Sequence, residues 1–539
     1  MKDKLEALSS LFAPWNTSHA PGVAVGVRQD GEILLRRGYG LASVEAGTAL
    51  TPNSRLRIGS TTKHFTALIA LLLAEDGLLD LDAPVRESIA ELQGPGGDPS
   101  VRQLLQHRGG SRCYLDLGFI AHGMAVPPRG RILEMQRRQQ GRNFAVGEAM
   151  IYNNGGYQMA ALACERVAGQ PLGTLMEQRL FRPLGMSDTA LVRSDYEIHP
   201  GIATLHVQTA EGGWRRGLFP CEELGGDGAI VSTVDDMLVW MQHLRERDRF
   251  GSPAVWRQLL EQPPFANGEP GGPYALGLIR GHYRDAPVVH HAGGVIGGSS
   301  QMLTFPAHGL DVVVIANHMG GIDCSALAER VADVALEGRL GPPAPSVKAA
   351  DHPGLAGCWW SADTRMVYEL REDGEDLKAA ICASAALKLA PLANGRALLS
   401  PASIGDAELD LAGAARSGVM KIRFGGQAAS YTRLAPTDAA AGAALQGRYH
   451  SDDADCTLRI ALEGEGEAAE LVAHFSGPFG MSACPLKLMS DGAASVAIAA
   501  RHVSLLPFAV ALSFISTGGP VRELVVNTPR TRHLVFKPA

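Results

Sequence analysis

"RIGSTTKHFTALIALLLAEDG", residues 57–77, sets a serine and a lysine one helical turn apart in front of a run of leucines. The stretch after Lys63 is apolar on nearly all sides and stops at Asp76-Gly77, so it reads as a buried central helix rather than a surface one. The i,i+3 spacing lays the Lys63 amine beside the Ser60 hydroxyl. Burial disfavours the charged form of a lysine, and a neutral amine next to a hydroxyl is a general base next to a nucleophile. On the same residues Ser60 can instead be a helix cap and Lys63 a snorkelling first-turn side chain. Ser-x-x-Lys occurs once in the chain, and alone it does not decide between the two.

Outward from this helix, "GVAVGVRQDGEILLRRGYGLAS" (22–43) alternates about Asp30-Gly31, the pattern of a β-hairpin. Helical stretches follow at Ser60, at "LGTLMEQRLFRPLG" (172–185) and at "STVDDMLVWMQHLRERDR" (232–249), the last with a good N-cap. Strands return at "PVVHHAGG" (287–294), "SSQMLTFP" (299–306) and "LDVVVIANH" (310–318), and "SALAERVADVALEG" (325–338) closes the region as an amphipathic helix. Strands at both ends with helices between predict a mixed α+β catalytic domain over 1–340, its sheet assembled from both ends of the segment.

After Gly341 the proline and glycine of "GPPAPSVKAADHPG" mark a linker, and helical periodicity nearly vanishes. "LAGCWWSADTRMVYELRED" from Leu355 and "LQGRYHSDDADCTLRIALEG" from Leu445 match at an offset of 90 in leucine, glycine, an aromatic, serine and aspartate, with "PTDAAAGAA" between the copies. Two small antiparallel β-barrels, over 352–436 and 445–539, are the expected form, because closure removes the exposed edges of short strands.

The 539 residues, 46% hydrophobic, suffice for two or three domains. A formal charge of −7 without a basic stripe, beyond short pieces such as Arg129 to Arg142, excludes the footprint of a nucleic-acid binder. Eight cysteines with no CxxC argue against structural zinc and fit a reducing compartment. The N-terminus lacks the apolar core of a signal peptide and reads as a short amphipathic helix. No stretch reaches the roughly 18 charge-free apolar residues of a membrane span. A soluble, cytoplasmic protein without membrane association is expected.

Two further groups come in order after Ser60 and Lys63. Tyr152-x-Asn154 lies in "FAVGEAMIYNNGGYQMAAL" (144–162), on a polar, glycine-flanked loop leading into a helix. A phenol there can relay a proton to a leaving group, and an amide can hold a substrate carbonyl. His291-Ala292-Gly293 lies on a strand whose small residues let a substrate backbone approach. Ser-x-x-Lys, Tyr-x-Asn and His-x-Gly in this order resemble the penicillin-recognising serine hydrolases, which include class C β-lactamases, DD-carboxypeptidases, related esterases and D-aminopeptidases. "LFRPLGMSDTAL" (180–191), "GGDGAIVSTVDDM" (225–237) and Phe144-x-x-Gly147 match that family as well.

Within the family, a His-x-Gly motif followed by two β-barrels resembles the D-aminopeptidase branch, in which a loop of the last barrel reaches the active site. "HFSGPFGMSACPLKLM" (474–489) is the corresponding candidate loop, with Phe479 and Ala483 near its tip. The resemblance implies Ser60, Lys63, Tyr152 and His291 as catalytic residues. It implies Asn154, Gly293, Gly294, Ile279, Phe479 and Ala483 as substrate-binding, with the Ser60 and Gly294 N–H groups as the oxyanion site.

The implied activity is release of N-terminal D-residues, D-alanine above all, from small molecules or short peptides through an acyl-enzyme, with no metal or organic cofactor. A homodimer is compatible with the sequence. Some residues depart from the pattern. The 477–486 tip has no acid to hold a substrate ammonium, and Ile279 and Arg280 stand where a polar acceptor would be useful. Val146 stands where the family has proline, and the turn near the cleft reads "HRGGSR" from His107. These keep open a carboxylesterase or weak DD-peptidase/β-lactamase on the same machinery, and, from another class, a silent peptidoglycan-fragment binder.

Overall fold

The structure is a computed structural model. It describes residues 2–92, 98–382, 384–400, 406–437, 439–464, 469–490, 495–499, 511–514 and 521–539. Asp30 and Gly31 both take positive φ (50° and 87°), the twist a tight hairpin requires, and join strands Val23–Gln29 and Glu32–Tyr39. Val23–Gln29 then pairs antiparallel with Leu310–Ala316, so the two ends of the 1–340 region share one sheet. The six-stranded order runs Ile279–Tyr283, Ala286–Val295, Gly298–Phe305, Leu310–Ala316, Val23–Gln29, Glu32–Tyr39.

One sheet face packs against the N-terminal helix Lys2–Ser10 and helix Cys324–Ala335. On the other, Val234–Glu246 packs against the sheet, Thr233 capping it by accepting from Asp236 N at 3.2 Å. Lys63–Glu75 is buried from Lys63 through Leu73, as its all-round apolar pattern requires. It packs against Asn154–Ala168 in the same core. The predicted helix from Leu172 is continuous to Leu184, with one wider turn at Glu177–Phe181. Arginines of the basic piece around Arg129–Arg142 pair with acids of the same chain. Arg131 pairs with Glu134 and Asp455, and Arg129 with Glu197.

Beyond the linker stand two nine-stranded antiparallel, barrel-like sheets. The first, within 357–433, brings its terminal strands Leu387–Lys388 and Ala390–Leu392 together across Leu389. In the second, Met481–Ser490 also pairs with Ser495–Ala499, which closes the ring and removes the open edges. The 90-residue repeat is visible in the paired hairpins 357–373 and 447–463. A short helix, Ala439–Leu445, fills the segment between the copies. Among the described residues no helix is long and apolar enough to cross a membrane.

Candidate active site

Ser60 lies on a single 3-10 turn, Gly59–Thr62, that runs straight into helix Lys63–Glu75. Gly59 has φ 53°, and a Cβ there would stand 2.8 Å from Gly294 N. A Cβ on Gly293 would lie 1.9 Å from the Ile58 carbonyl oxygen. Glycine at both positions lets the strand Ala286–Val295 lie backbone to backbone against the serine turn, and Ser300 Oγ ties the contact by donating to Ile58 O at 2.8 Å.

Lys63 is fully buried, and its Nζ stands 3.1 Å from Ser60 Oγ, 2.7 Å from Asn154 Oδ1 and 2.7 Å from the Asp227 main-chain oxygen. A neutral amine has two N–H donors and one lone pair. Asn154 and the Asp227 carbonyl are acceptors that take the two donors, which leaves the lone pair toward the serine hydroxyl. Burial lowers the Lys63 pKa from 10.5 to about 7, partly opposed by the Asp227 charge and assisted by Arg530.

Tyr152 is buried with its ring face 4.7 Å from Lys63 Nζ. Desolvation pushes its pKa up, and a hydrogen bond with Ser60 works the other way, so near neutrality it is a phenol. Its loop is fixed from two sides. Asn153 caps helix Asn154–Ala168 by accepting from Gly156 N, which turns Asn154 inward, and His107 Nδ1 accepts from Asn153 N at 3.0 Å.

His291 is buried behind the tyrosine. Its Nδ1 is 2.6 Å from Ala292 O and its Nε2 3.3 Å from the Tyr274 hydroxyl. Burial, Lys63 and His64 hold its pKa well below the usual 6.5, so it is a neutral imidazole. His107, Tyr152, Tyr274 and His291 thus make one ring-packed cluster.

A cavity of about 370 Å³ opens on Ser60. Tyr152, Asn154, Asp227, Gly294 and Arg530 give it polar groups, and Leu115, Phe119, Phe219 and Ile296 an apolar side. His291, Gly293, Ile279, Phe479 and Ala483 are not among its lining residues. Gly293 is the backbone seat described above, and Ile279 packs with Met150, Phe265 and Tyr274 behind Tyr152.

Phe479 and Ala483 are kept away by helix Tyr114–His122, which turns Leu115 and Phe119 to the cavity and its other face to the 477–483 tip. There Phe479 meets the His122 ring edge-on at 5.2 Å, and Ser482 Oγ donates to Ile120 O at 2.9 Å. The last sheet reaches the cavity through a different turn, 527–533, which carries Arg530. Buried Asp116 accepts from Arg530 Nε (2.9 Å) and Nη2 (2.5 Å) and from Thr528. Arg112 donates to the carbonyls of Arg532 and His533, and Asn143 bonds Arg530 O and Arg532 N.

Asp227, Arg530, Asp116 and Tyr274 were not reached from the sequence. The signal for Asp227 was an aspartate inside the glycine run "GGDGA" (225–229); for Arg530 there was none beyond a turn. Among the described residues no three His, Cys, Asp or Glu side chains converge to hold a metal ion.

A family model described as Beta-lactamase matches residues 8–337. A D-aminopeptidase of Brucella canis is 30% identical over 365 residues, 66% of each chain, so this chain spans about two thirds of the length of the curated relatives it matches. The octameric penicillin-binding protein homologue of Pyrococcus abyssi superposes with a TM-score of 0.55 at 22% identity, over 80% of this chain and 100% of its own. The D-amino acid amidase of Ochrobactrum anthropi SV3, complexed with L-phenylalanine amide, gives 0.52 at 23% identity, over 62% and 99%.

Proposed function

Because the chain belongs to the beta-lactamase family, we propose that it is a serine hydrolase working through an acyl-enzyme on Ser60, and a D-aminopeptidase or D-amino-acid amidase that releases N-terminal D-residues. The observation that carries the reaction is the buried Lys63 amine, 3.1 Å from Ser60 Oγ and largely neutral above about pH 7. Lys63 takes the Ser60 proton as Oγ attacks the acyl carbon. The oxyanion sits between the N–H groups of Ser60 and Gly294, each worth roughly 3 kcal/mol of barrier.

Tyr152, protonated and bonded to Ser60, passes a proton to the departing amine and is reprotonated from Lys63. The C–N bond breaks, and water then attacks the ester by the same route in reverse, freeing the acid and Ser60. His291 is neutral and lies behind Tyr152, so it supplies no charge to a substrate carboxylate.

The D-residue preference is supported by the Brucella relative and by the two β units that follow the catalytic region. A carboxylesterase or weak DD-peptidase/β-lactamase is the second reading, favoured by the acid-free 477–486 tip. Eight free cysteines, seven of them buried, support a reducing, cytoplasmic setting.

A panel of D- and L-alanyl p-nitroanilides, free and N-acetylated, tests the assignment. Turnover of the free D-compound alone is expected. Equal turnover of the N-acetyl form would move the assignment to the esterase.

A further inference from the structure

An enzyme that recognises a free amino terminus must hold a cation in a largely dehydrated cavity, and this requires an anion there. The loop tip expected to approach the substrate has no acid and lies behind helix Tyr114–His122. The charged residues that line the cavity are Arg530 and Asp227. Arg530 is already balanced by Asp116, which it grips with two nitrogens.

Asp227 is different. It is 3% exposed, and its carboxylate accepts from the Tyr114 hydroxyl at Oδ2 (2.8 Å) and the Gln158 amide at Oδ1 (2.8 Å), both neutral donors. Its main-chain oxygen, not its carboxylate, receives the Lys63 donor. Burial raises the Asp227 pKa and the Lys63 charge opposes this, so when Lys63 is neutral, as the reaction needs, the carboxylate has hydrogen bonds but no cation against it at those oxygens and gains from one. Its turn is also rigidly placed. A Cβ on Gly225 would fall 2.2 Å from Gln158 Oε1, and one on Gly226 2.8 Å from Ala161 and Thr66, so the chain here is seated directly on two core helices.

We infer that Asp227 anchors the α-ammonium of the substrate, in the cavity shared with Ser60. This rests on the aminopeptidase reading and names its specificity residue. The bound ammonium takes the place of the Lys63 proton as counter-charge to Asp227, so binding the correct substrate favours the base form of Lys63, whereas an N-acyl substrate leaves Asp227 unbalanced. The apolar wall of Leu115, Phe119 and Phe219 is then left for the side chain of the D-residue.

The test compares D-alanyl p-nitroanilide with its D-lactyl counterpart, in which a hydroxyl replaces the ammonium, and reads the ratio of their kcat/KM values. A ratio near one in the unaltered enzyme would refute the aminopeptidase reading, and the anchor with it. Given a high ratio, Asp227→Asn is expected to lower it about 30-fold or more, the usual scale for removing one partner of a dehydrated charge pair. Asparagine fits the site because the Tyr114 hydroxyl can turn from donor to acceptor.

A ratio that survives Asp227→Asn would overturn the anchor while leaving the aminopeptidase reading intact. Tyr114→Phe provides an independent arm. It strips a hydrogen bond from the carboxylate but leaves the charge, so the ratio should hold or rise, and its collapse would show that shape rather than charge selects the substrate.

Discussion

On the proposed mechanism, the state of Lys63 sets the pH dependence of the reaction. An ordinary lysine, with pKa 10.5, offers a neutral amine in roughly one molecule in 3,000 at pH 7, whereas the buried Lys63, at about 7, offers it in about half. The difference corresponds to about 4 kcal/mol of base availability. The sign follows from burial, which favours the neutral form, so protonation on acidification removes the base. With a neutral acyl ester as substrate, kcat/KM should rise about tenfold per pH step up to a midpoint near 7 and then level off.

No second limb is expected between pH 5 and 9. His291 and His107 are held neutral well below 6.5 and Tyr152 is pushed up, each chiefly by burial. Asp227 raises the Lys63 pKa, so Asp227→Asn should move the midpoint to lower pH. Stopped-flow or steady-state rates across pH 5–10 give the profile. A flat profile, or a midpoint above pH 9, would refute Lys63 as the resting neutral base.

Gly293→Ala would drive a methyl group into the Ile58 carbonyl, and is expected to lower stability by roughly 2–3 kcal/mol in denaturant melts and to displace the serine turn. Asp116→Ala leaves Arg530 buried without its counter-charge and should cost about 3–5 kcal/mol, read as a lower Tm together with loss of activity. Tyr274→Phe removes the hydroxyl facing His291 Nε2, at about 1 kcal/mol of stability, and is expected to reduce kcat more than it alters KM because it loosens the cluster behind Tyr152.

What the sequence disclosed depended on how local the determinant was. The Asp30-Gly31 hairpin and the Ser60–Lys63 juxtaposition rest on neighbours in the chain, so turn chemistry and helical spacing expose them. The pairing of Val23–Gln29 with Leu310–Ala316 is long-range, yet it follows from strands at both ends of a region that must bury one sheet. Tyr152, Asn154 and His291 were reached only through the order of family motifs.

Asp227 was invisible for a physical reason. Its glycine neighbours signal a turn, but the direction of its carboxylate is fixed by Tyr114 and Gln158 on separate helices. Arg530 sits in Thr528-Pro529-Arg530, which looks like an exposed tip but is buried where Asp116, more than 400 residues earlier, receives it. The glycine-rich 474–489 segment drew attention by composition, although composition does not say on which face of helix Tyr114–His122 it docks.

Acylation of Ser60 is the most direct test. A D-alanyl ester mixed with enzyme and quenched in acid within milliseconds should leave a D-alanyl group on the peptide carrying residue 60 in mass spectrometry, and none after Ser60→Ala. Turnover persisting in Ser60→Ala, or the adduct mapping to another residue, would contradict the account.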